Sequence, residues 1–492
     1  MKKIWRISAI AVTAALALWS CSKDDSTSTT TTTTTTVTTA PKAITLSSSA
    51  FTPAQGGETL SLTATTPFKP SFTGVPSWIT IKDEKFDSSK YTYSCSMVVA
   101  ENTTYDERSA TITVSATGVS SVTFKVTQEG KEKPEVPDVD KTNISKVPVN
   151  ANATDRAKEL YSKLYEAYGN KTFSGVQSSM SNINDYVNAV YKATGAHPAL
   201  AGYDFIYLQY SPTPDGYSWV QNYTDISAQK EHYDAGGIVS YMWHWNVPAS
   251  ETIFRNNDTS ANNGFGFYVP GANNGYGETG FDIREALKEN TWQHECILSN
   301  IDKIATTFKL LDEAGIPVLF RPLHEAAGNY TKYNSNGGAW FWWGRYGASY
   351  CKQLWNLVQD RLQNYHGLNN IIWVWTMDAL EGFESEAAEW YPGDDRVDIV
   401  GVDIYEDNTG AKKSQFEFLQ TVTGGKKLLT VSECGNIPSP EENIKAGYPW
   451  LWFMVWPTAE NNTINISGYP LNTSSYWNSL MKSSYVYNRE NM

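Results

Sequence analysis

"ILSNIDKIATTFKLLDEAGIPVLFRPLHE", residues 297–325, changes its hydrophobic period halfway along and ends on an acid. The first part sets Ile297, Ile301, Ile304, Phe308 and Leu311 three or four residues apart, which is one apolar face of a helix, and Gly315 supplies the stop. The second part, "PVLFRPLHE" (317–325), is a short apolar run with no alternation, as expected of a strand covered on both faces. A helix delivering the chain to such a strand is one unit of a parallel sheet wrapped by helices.

The same alternation runs from about residue 150 onward. Candidate strands are 172–177 "TFSGVQ", 199–207 "ALAGYDFIY", 236–245 "GGIVSYMWHW", 317–325, 370–377 "NIIWVWTM", 398–405 "DIVGVDIY", 427–435 "KLLTVSECG" and 450–456 "WLWFMVW". Eight strands alternating with helices predict a (β/α)8 barrel over residues 150–492, whose chemistry belongs on the loops beyond the carboxyl ends of its strands. Glu325 ends the fourth strand and Glu433 the seventh. Two carboxyls across one mouth are the reagents of glycoside hydrolysis, one giving a proton to the leaving oxygen while the other attacks the anomeric carbon or activates water. Either glutamate alone reads as a solvated loop residue; the pair, with aromatic neighbours, favours the reacting reading. His244 in "MWHW", Asp403 and Tyr405 in "VDIY", and Trp456 in "FMVWP" end the third, sixth and eighth strands. Each singly suits a core; ringed around two acids they suit a sugar, whose C–H face stacks on aromatic rings while its hydroxyls meet polar tips. Arg321 shares a strand face with Glu325 by period two, so it is expected to enter the barrel and hold the charge of Glu433. The three indoles of "WFWWG" (340–344) are expected to help hold the sugars on either side of the acid.

These motifs, "FRPLHE", "WFWWG", "VDIY" and "SECG", in that order, resemble glycoside hydrolase family 26 over roughly residues 150–490. The best-known members of that family are endo-β-1,4-mannanases. The resemblance implies a retaining double displacement with Glu325 as acid/base and Glu433 as nucleophile. It implies a cleft lined by His324, His244, Trp340, Asp403, Tyr405 and Trp456, with Tyr405 hydrogen-bonded to the nucleophile. One departure stands out: relatives pass almost directly from "HE" to "WFWWG", whereas here "AAGNYTKYNSNGG" intervenes, which touches the placement of Trp340. The expected substrate is mannan, galactomannan or glucomannan. Alternatives are β-1,3-xylan or mixed-linkage β-glucan, a transglycosylase, or a glycan-binding lipoprotein without catalysis.

Upstream, residues 43–130 alternate in short β-type runs between turn residues, which predicts a small all-β sandwich. "PSWITI", "NTTYDERSATITV" and "VTQEG" resemble the BACON domain, here expected to act as a spacer, with Trp78 in its core. The segment 1–20 has a basic start and a short apolar run before Cys21. With "LWSC" and "SKDD" it resembles a Bacteroidetes lipoprotein signal, which implies lipidation at Cys21 and a place on the cell-surface side of the outer membrane. Residues 21–42, with the threonine tract, form a tether, and the proline-rich 131–149 a linker.

A formal charge of −13 argues against nucleic acid, whose binders concentrate basic surface. The 18 Trp and 29 Tyr exceed ordinary packing needs and fit a protein that stacks flat ligands. Cys95, Cys296, Cys351 and Cys434 lie far apart without metal spacing, "HEAAG" and "HECIL" lack a second histidine, and no strand precedes the "GYGETG" loop. No metal or cofactor is expected, and the chain is expected to act as a monomer. The Gly/Asn-rich stretch 256–280 reads equally as a cleft wall or a surface loop.

Overall fold

Apolar runs without alternation fold only where both faces of a strand are covered, and here a closed barrel covers them. The computed structural model describes residues 39–492 other than 105, 132–138, 179–182, 211–221, 259–263, 331–338, 379, 381 and 461–462. The signal segment, Cys21 and most of the threonine tract and second linker lie outside the described residues. The barrel strands are β1 Thr172–Gln177, β2 Leu200–Asp204, β3 Ile238–Met242, β4 Val318–Arg321, β5 Ile371–Asp378, β6 Ile399–Ile404, β7 Leu428–Cys434 and β8 Trp452–Val455. They pair in parallel in chain order, and β1 bonds to both β8 and β2, so the ring closes. The predicted (β/α)8 architecture is therefore the observed one. Of all these strand residues only Asp378, at the carboxyl end of β5, escapes full burial.

The helix that opened the reading spans Trp292–Glu313, beginning five residues before its apolar face becomes regular. Thr291 caps it by accepting from the His294 N–H at 3.1 Å, a polar signal that the spacing of Ile and Leu does not carry. Its end is as expected: Gly315 takes φ 71° and Ile316 N–H returns to the Leu311 carbonyl at 2.8 Å. All five residues of the predicted face are buried. β4 stops at Arg321 because Pro322 has no N–H to extend the ladder. The sequence "PLHE" thus becomes a loop, and it is this loop that carries the acid.

The chain divides into two compact units between Lys133 and Pro134. In the first, a sheet of Thr45–Leu46, Glu58–Thr65, Thr92–Val99 and Ile79–Asp87 faces one of Ala50–Phe51, Val122–Gln128, Arg108–Ser115 and Ser71–Thr73. Leu62, Met97, Ile112, Val114 and Val126 fill the core between them, spaced by the period of two that marked these strands in the sequence. Trp78 packs half-buried against this core with the Arg108 guanidinium 4.5 Å above its ring, as a core tryptophan rather than an open platform.

Candidate active site

Consecutive residues on a strand point to opposite faces, yet Ser432 and Glu433 both point into the barrel. Ser432 Oγ meets Thr376 Oγ1 of β5 at 2.9 Å, while Glu433 meets Arg321 of β4. An extra residue in β7 makes this possible: Val402 pairs with Val431 but Asp403 with Glu433, so the strand bulges between them and turns the carboxylate to the mouth. Three donors then converge on it. Arg321 Nη2 lies 2.5 Å from Oε1, and the Tyr405 hydroxyl and Trp456 Nε1 each donate to Oε2 at 2.8 Å. Arg321 therefore does enter the barrel beside Glu433. Burial works against this charge, but Arg321 and His244, with the hydrogen bonds from Arg321 and Tyr405, hold Glu433 below the ordinary glutamate range.

Glu325 is held by different means. Its N–H donates to the Thr376 carbonyl at 3.1 Å, tying the loop to the end of β5, and it adopts φ 49° two residues after Leu323 at φ 52°. Left-handed backbone at two non-glycine residues is strain, kept where surrounding structure over-determines it and typical of functional loops. Burial first, then the charges of Glu433 and Asp378, push its carboxyl up to about 8, against the pull of Asp403 and Arg321. The two glutamates thus sit within electrostatic reach over one mouth, with opposite protonation near neutrality. Arg321 cannot fully serve both buried acids beside it. Its shorter contact goes to Glu433 and its longer, 3.3 Å, to Asp403, whose carboxyl burial and the Glu433 charge drive well above its usual range. Asp403 interacts with the Glu325 carboxyl, although no strict hydrogen bond closes on its Oδ1.

The remaining predicted residues divide. His244 lines the mouth, with Nδ1 2.6 Å from Asp204 Oδ2 and its N–H donating to Oδ1 at 3.0 Å. Burial lowers its proton affinity, but the Asp204 charge and bond outweigh it and raise the imidazole above its usual range. His324 does not line the cleft. It is 1% exposed, packed edge-on under His244 at 4.7 Å and beside Phe341, and burial keeps it neutral, well below the usual histidine range. The expected shelf of three indoles is likewise corrected. Trp342 and Trp343 are fully buried and donate to the Trp245 and His324 carbonyls at 2.8 and 2.9 Å, bracing the wall, while Trp340 alone stays partly open. Trp340 N–H bonds the Gly328 carbonyl at 3.1 Å, which ties it to the loop that carries the acid. Its indole lies so close to Gly328 that a Cβ there would stand 2.2 Å from Cζ2.

Within the stretch 256–280, residues 264–280 pack as a wall on one flank. Tyr268 and Phe341 bridge across, Val269 N–H bonds the Trp340 carbonyl at 2.8 Å, and the Tyr268 phenol, raised by burial and by the Glu325 charge, stands by the acid. Asp204, Tyr268 and Asp378 escaped the sequence reading. Asp204 and Asp378 did have a usable signal, being acids that terminate barrel strands. Among the described residues Cys95, Cys296, Cys351 and Cys434 are free thiols, all buried. Among the described residues no group of three His, Cys, Asp or Glu is placed to hold a metal, and no helix is long and apolar enough to cross a membrane.

This arrangement matches a known family. The model of glycosyl hydrolase family 26 covers residues 149–486. The chain belongs to glycoside hydrolase family 26. The family 26 domain of an endo-β-mannanase/endo-β-glucanase from Prevotella bryantii superposes with a TM-score of 0.60 at 33% identity, covering 70% of this chain and 99% of that one. A β-mannanase from a symbiotic protist of the termite Reticulitermes speratus, solved with a gluco-manno-oligosaccharide, gives 0.58 at 31%, covering 71% and 98%. A mannan endo-1,4-β-mannosidase of Thermothelomyces thermophilus is 37% identical over 312 residues, 62% of this chain and 56% of its own length. Mannan endo-1,4-β-mannosidase B of Piromyces is 32% identical over 317 residues, 63% of this chain and 48% of its own. The chain thus spans about half the length of these curated relatives. Ahead of the family 26 domain, a BACON model matches residues 71–129. That match leaves out Thr45–Leu46, Ala50–Phe51 and Glu58–Thr65, which pair into the same two sheets.

Proposed function

We propose that this chain is an endo-acting, retaining glycoside hydrolase that cleaves β-1,4-mannosidic linkages in mannan, galactomannan or glucomannan. The observation that carries the reading is the pair of acids at one mouth: Glu433 takes hydrogen bonds from Arg321, Tyr405 and Trp456, while Glu325, on the loop tied to β5, has its carboxyl raised to about 8 by burial and the Glu433 charge. In the first displacement Glu433 attacks the anomeric carbon while Glu325 passes its proton to the departing glycosidic oxygen. In the second, Glu325, now a carboxylate, takes a proton from water as that water expels Glu433. His244, Trp340, Tyr405 and Trp456 offer polar tips and ring faces to the sugars. The names of the family 26 relatives favour β-mannan as the polymer.

Digestion of mannan, galactomannan, β-1,3-xylan and lichenan, with products sized, tests this: mannans should yield oligosaccharides of several lengths. Cleavage of xylan or lichenan with mannan untouched would replace the substrate, and retention of polysaccharide without new reducing ends would replace catalysis with binding. Glu433→Ala should lose on the order of 10⁴-fold or more in turnover. Azide should restore it as a glycosyl azide of inverted configuration; such rescue in Glu325→Ala instead would exchange the two roles. The site is complete within one chain, which supports a monomer, and sedimentation tests that. The "LWSC" and "SKDD" signals support lipidation at Cys21 and surface display on the outer membrane. Palmitate labelling that survives Cys21→Ala would reject the anchor.

A further inference from the structure

We propose that Tyr469 is a sugar-contacting residue that forms, with Tyr405, a paired aromatic wall on the nucleophile's side of the cleft and helps set specificity there. The inference rests on the glycosidase reading above. Tyr405 follows β6 and is 51% exposed although its hydroxyl is bonded to Glu433, so its ring stands free over the mouth. Tyr469 comes from the long segment after β8. Its ring lies 6.3 Å from that of Tyr405 at 48°, partly exposed, and its hydroxyl makes no hydrogen bond among the described residues. An aromatic face beside a free hydroxyl matches the two surfaces of a pyranose.

The position is built, not incidental. Tyr469 rests directly on Gly435, where a Cβ would approach Cε1 to 2.6 Å, so the glycine of "SECG" is what lets the ring reach the nucleophile's shoulder. Two buried asparagines then lock three loops together. Asn472 bonds the Gly435 carbonyl at 2.8 Å and accepts from Ile437 N–H at 2.9 Å, while its own N–H returns to the Tyr469 carbonyl at 3.0 Å. Asn436 accepts from Leu471 N–H at 3.0 Å and donates to the Glu406 carbonyl at 3.0 Å, next to Tyr405. The loops after β6, β7 and β8 are thereby fixed as one surface. Tyr469 lies against Gly435, two residues after Glu433, and beside Tyr405, whose hydroxyl donates to Glu433, so it flanks the sugar that Glu433 attacks.

The test uses the full chain and an aryl β-mannobioside, which has no sugar on the leaving side. Tyr469→Ala should lower kcat/KM about tenfold, mainly through KM, with an unchanged pH profile. Tyr469→Phe, which keeps the ring, should recover most of it. Tyr469→Leu keeps bulk over Gly435 without an aromatic face and should behave like alanine even if the alanine variant folds poorly. Unchanged kcat/KM in the leucine variant, or a displaced pH profile with KM intact, would overturn the proposal, the latter because Tyr469 would then act only through Glu433. If the wild type ignores mannosides but turns over another aryl β-glycoside, only the mannan assignment fails, and the same variants are measured on that glycoside. A wild type inert on every glycoside removes both.

Discussion

Glu325, Asp378, Asp403 and Glu433 meet at one end of the barrel with the Arg321 guanidinium among them, and the chemistry depends on which of them ionise. The register sets the row: Asp378 of β5 lies opposite Asp403 of β6, and Asp403 opposite Glu433 of β7, with Glu325 reaching over from the loop after β4. Arg321 favours Glu433, so the other three compete for protons, and burial raises Asp378 to about 7. Since the Asp378 charge is one of the causes that lift Glu325, removing it should weaken the acid's hold on its proton. Asp378→Asn is therefore expected to move the alkaline limb of kcat/KM to lower pH by about half a unit to one unit, with the acidic limb unmoved. An unmoved or raised alkaline limb would show that Asp378 does not act on Glu325. That Glu325 and Glu433 would come to one mouth was legible from the sequence, because one follows the fourth apolar run and the other closes the seventh, although Glu325 stands on the loop after β4 rather than on the strand. Which groups set their protonation was less so: Asp378 ends β5 as an acid, but only the fold shows that its charge falls on Glu325, as it shows that Asp204 holds His244. His324, Trp342 and Trp343 were misplaced for a related reason: residue type marks them as possible sugar ligands, but only packing puts them beneath the surface.

At the level of elements, all eight strands were legible because each is an apolar run of the right length between polar turns. Their ends were less so. Hydrophobicity continues past Asp204 into Phe205 and past Arg321 into Leu323, whereas the ladders stop earlier, as at Pro322. Beyond the acid, Trp340 is joined to the acid's loop at Gly328, whose carbonyl accepts from the Trp340 N–H. That junction depends on the missing side chain at 328. Gly328→Ala should push the Trp340 ring off its seat and lower kcat/KM on mannan by about tenfold, with a melting temperature close to wild type because the barrel strands are untouched. Unimpaired kinetics would mean that the Trp340 ring contributes nothing to substrate binding. The cap at the other end of the same helix–strand unit offers a contrast. Thr291→Ala should cost about 1 kcal/mol in denaturant unfolding and leave kinetics unchanged; a kinetic defect would mean the helix start is coupled to the cleft.

For the whole molecule, the mouth is a place where stability is given up. An acid held protonated to about pH 8 in the folded chain releases its proton near pH ~4.3 when unfolded, so the folded state binds the extra proton between those values. The sign follows: stability contributed by Glu325 is greatest below the unfolded value, declines as pH rises through the window and levels off above about 8. A neutral glutamine has no such decline. Glu325→Gln should therefore melt at a higher temperature than wild type at pH 9, with the gap narrowing toward pH 5, while losing nearly all turnover of unactivated mannan. Scanning calorimetry of the two proteins across that range measures both the gap and its slope. An equal gap at pH 5 and pH 9 would attribute the gain to packing. A wild type that melts higher at pH 9 would mean the fold does not strain against the ionised acid, and the electrostatic account of the mouth would fall with it.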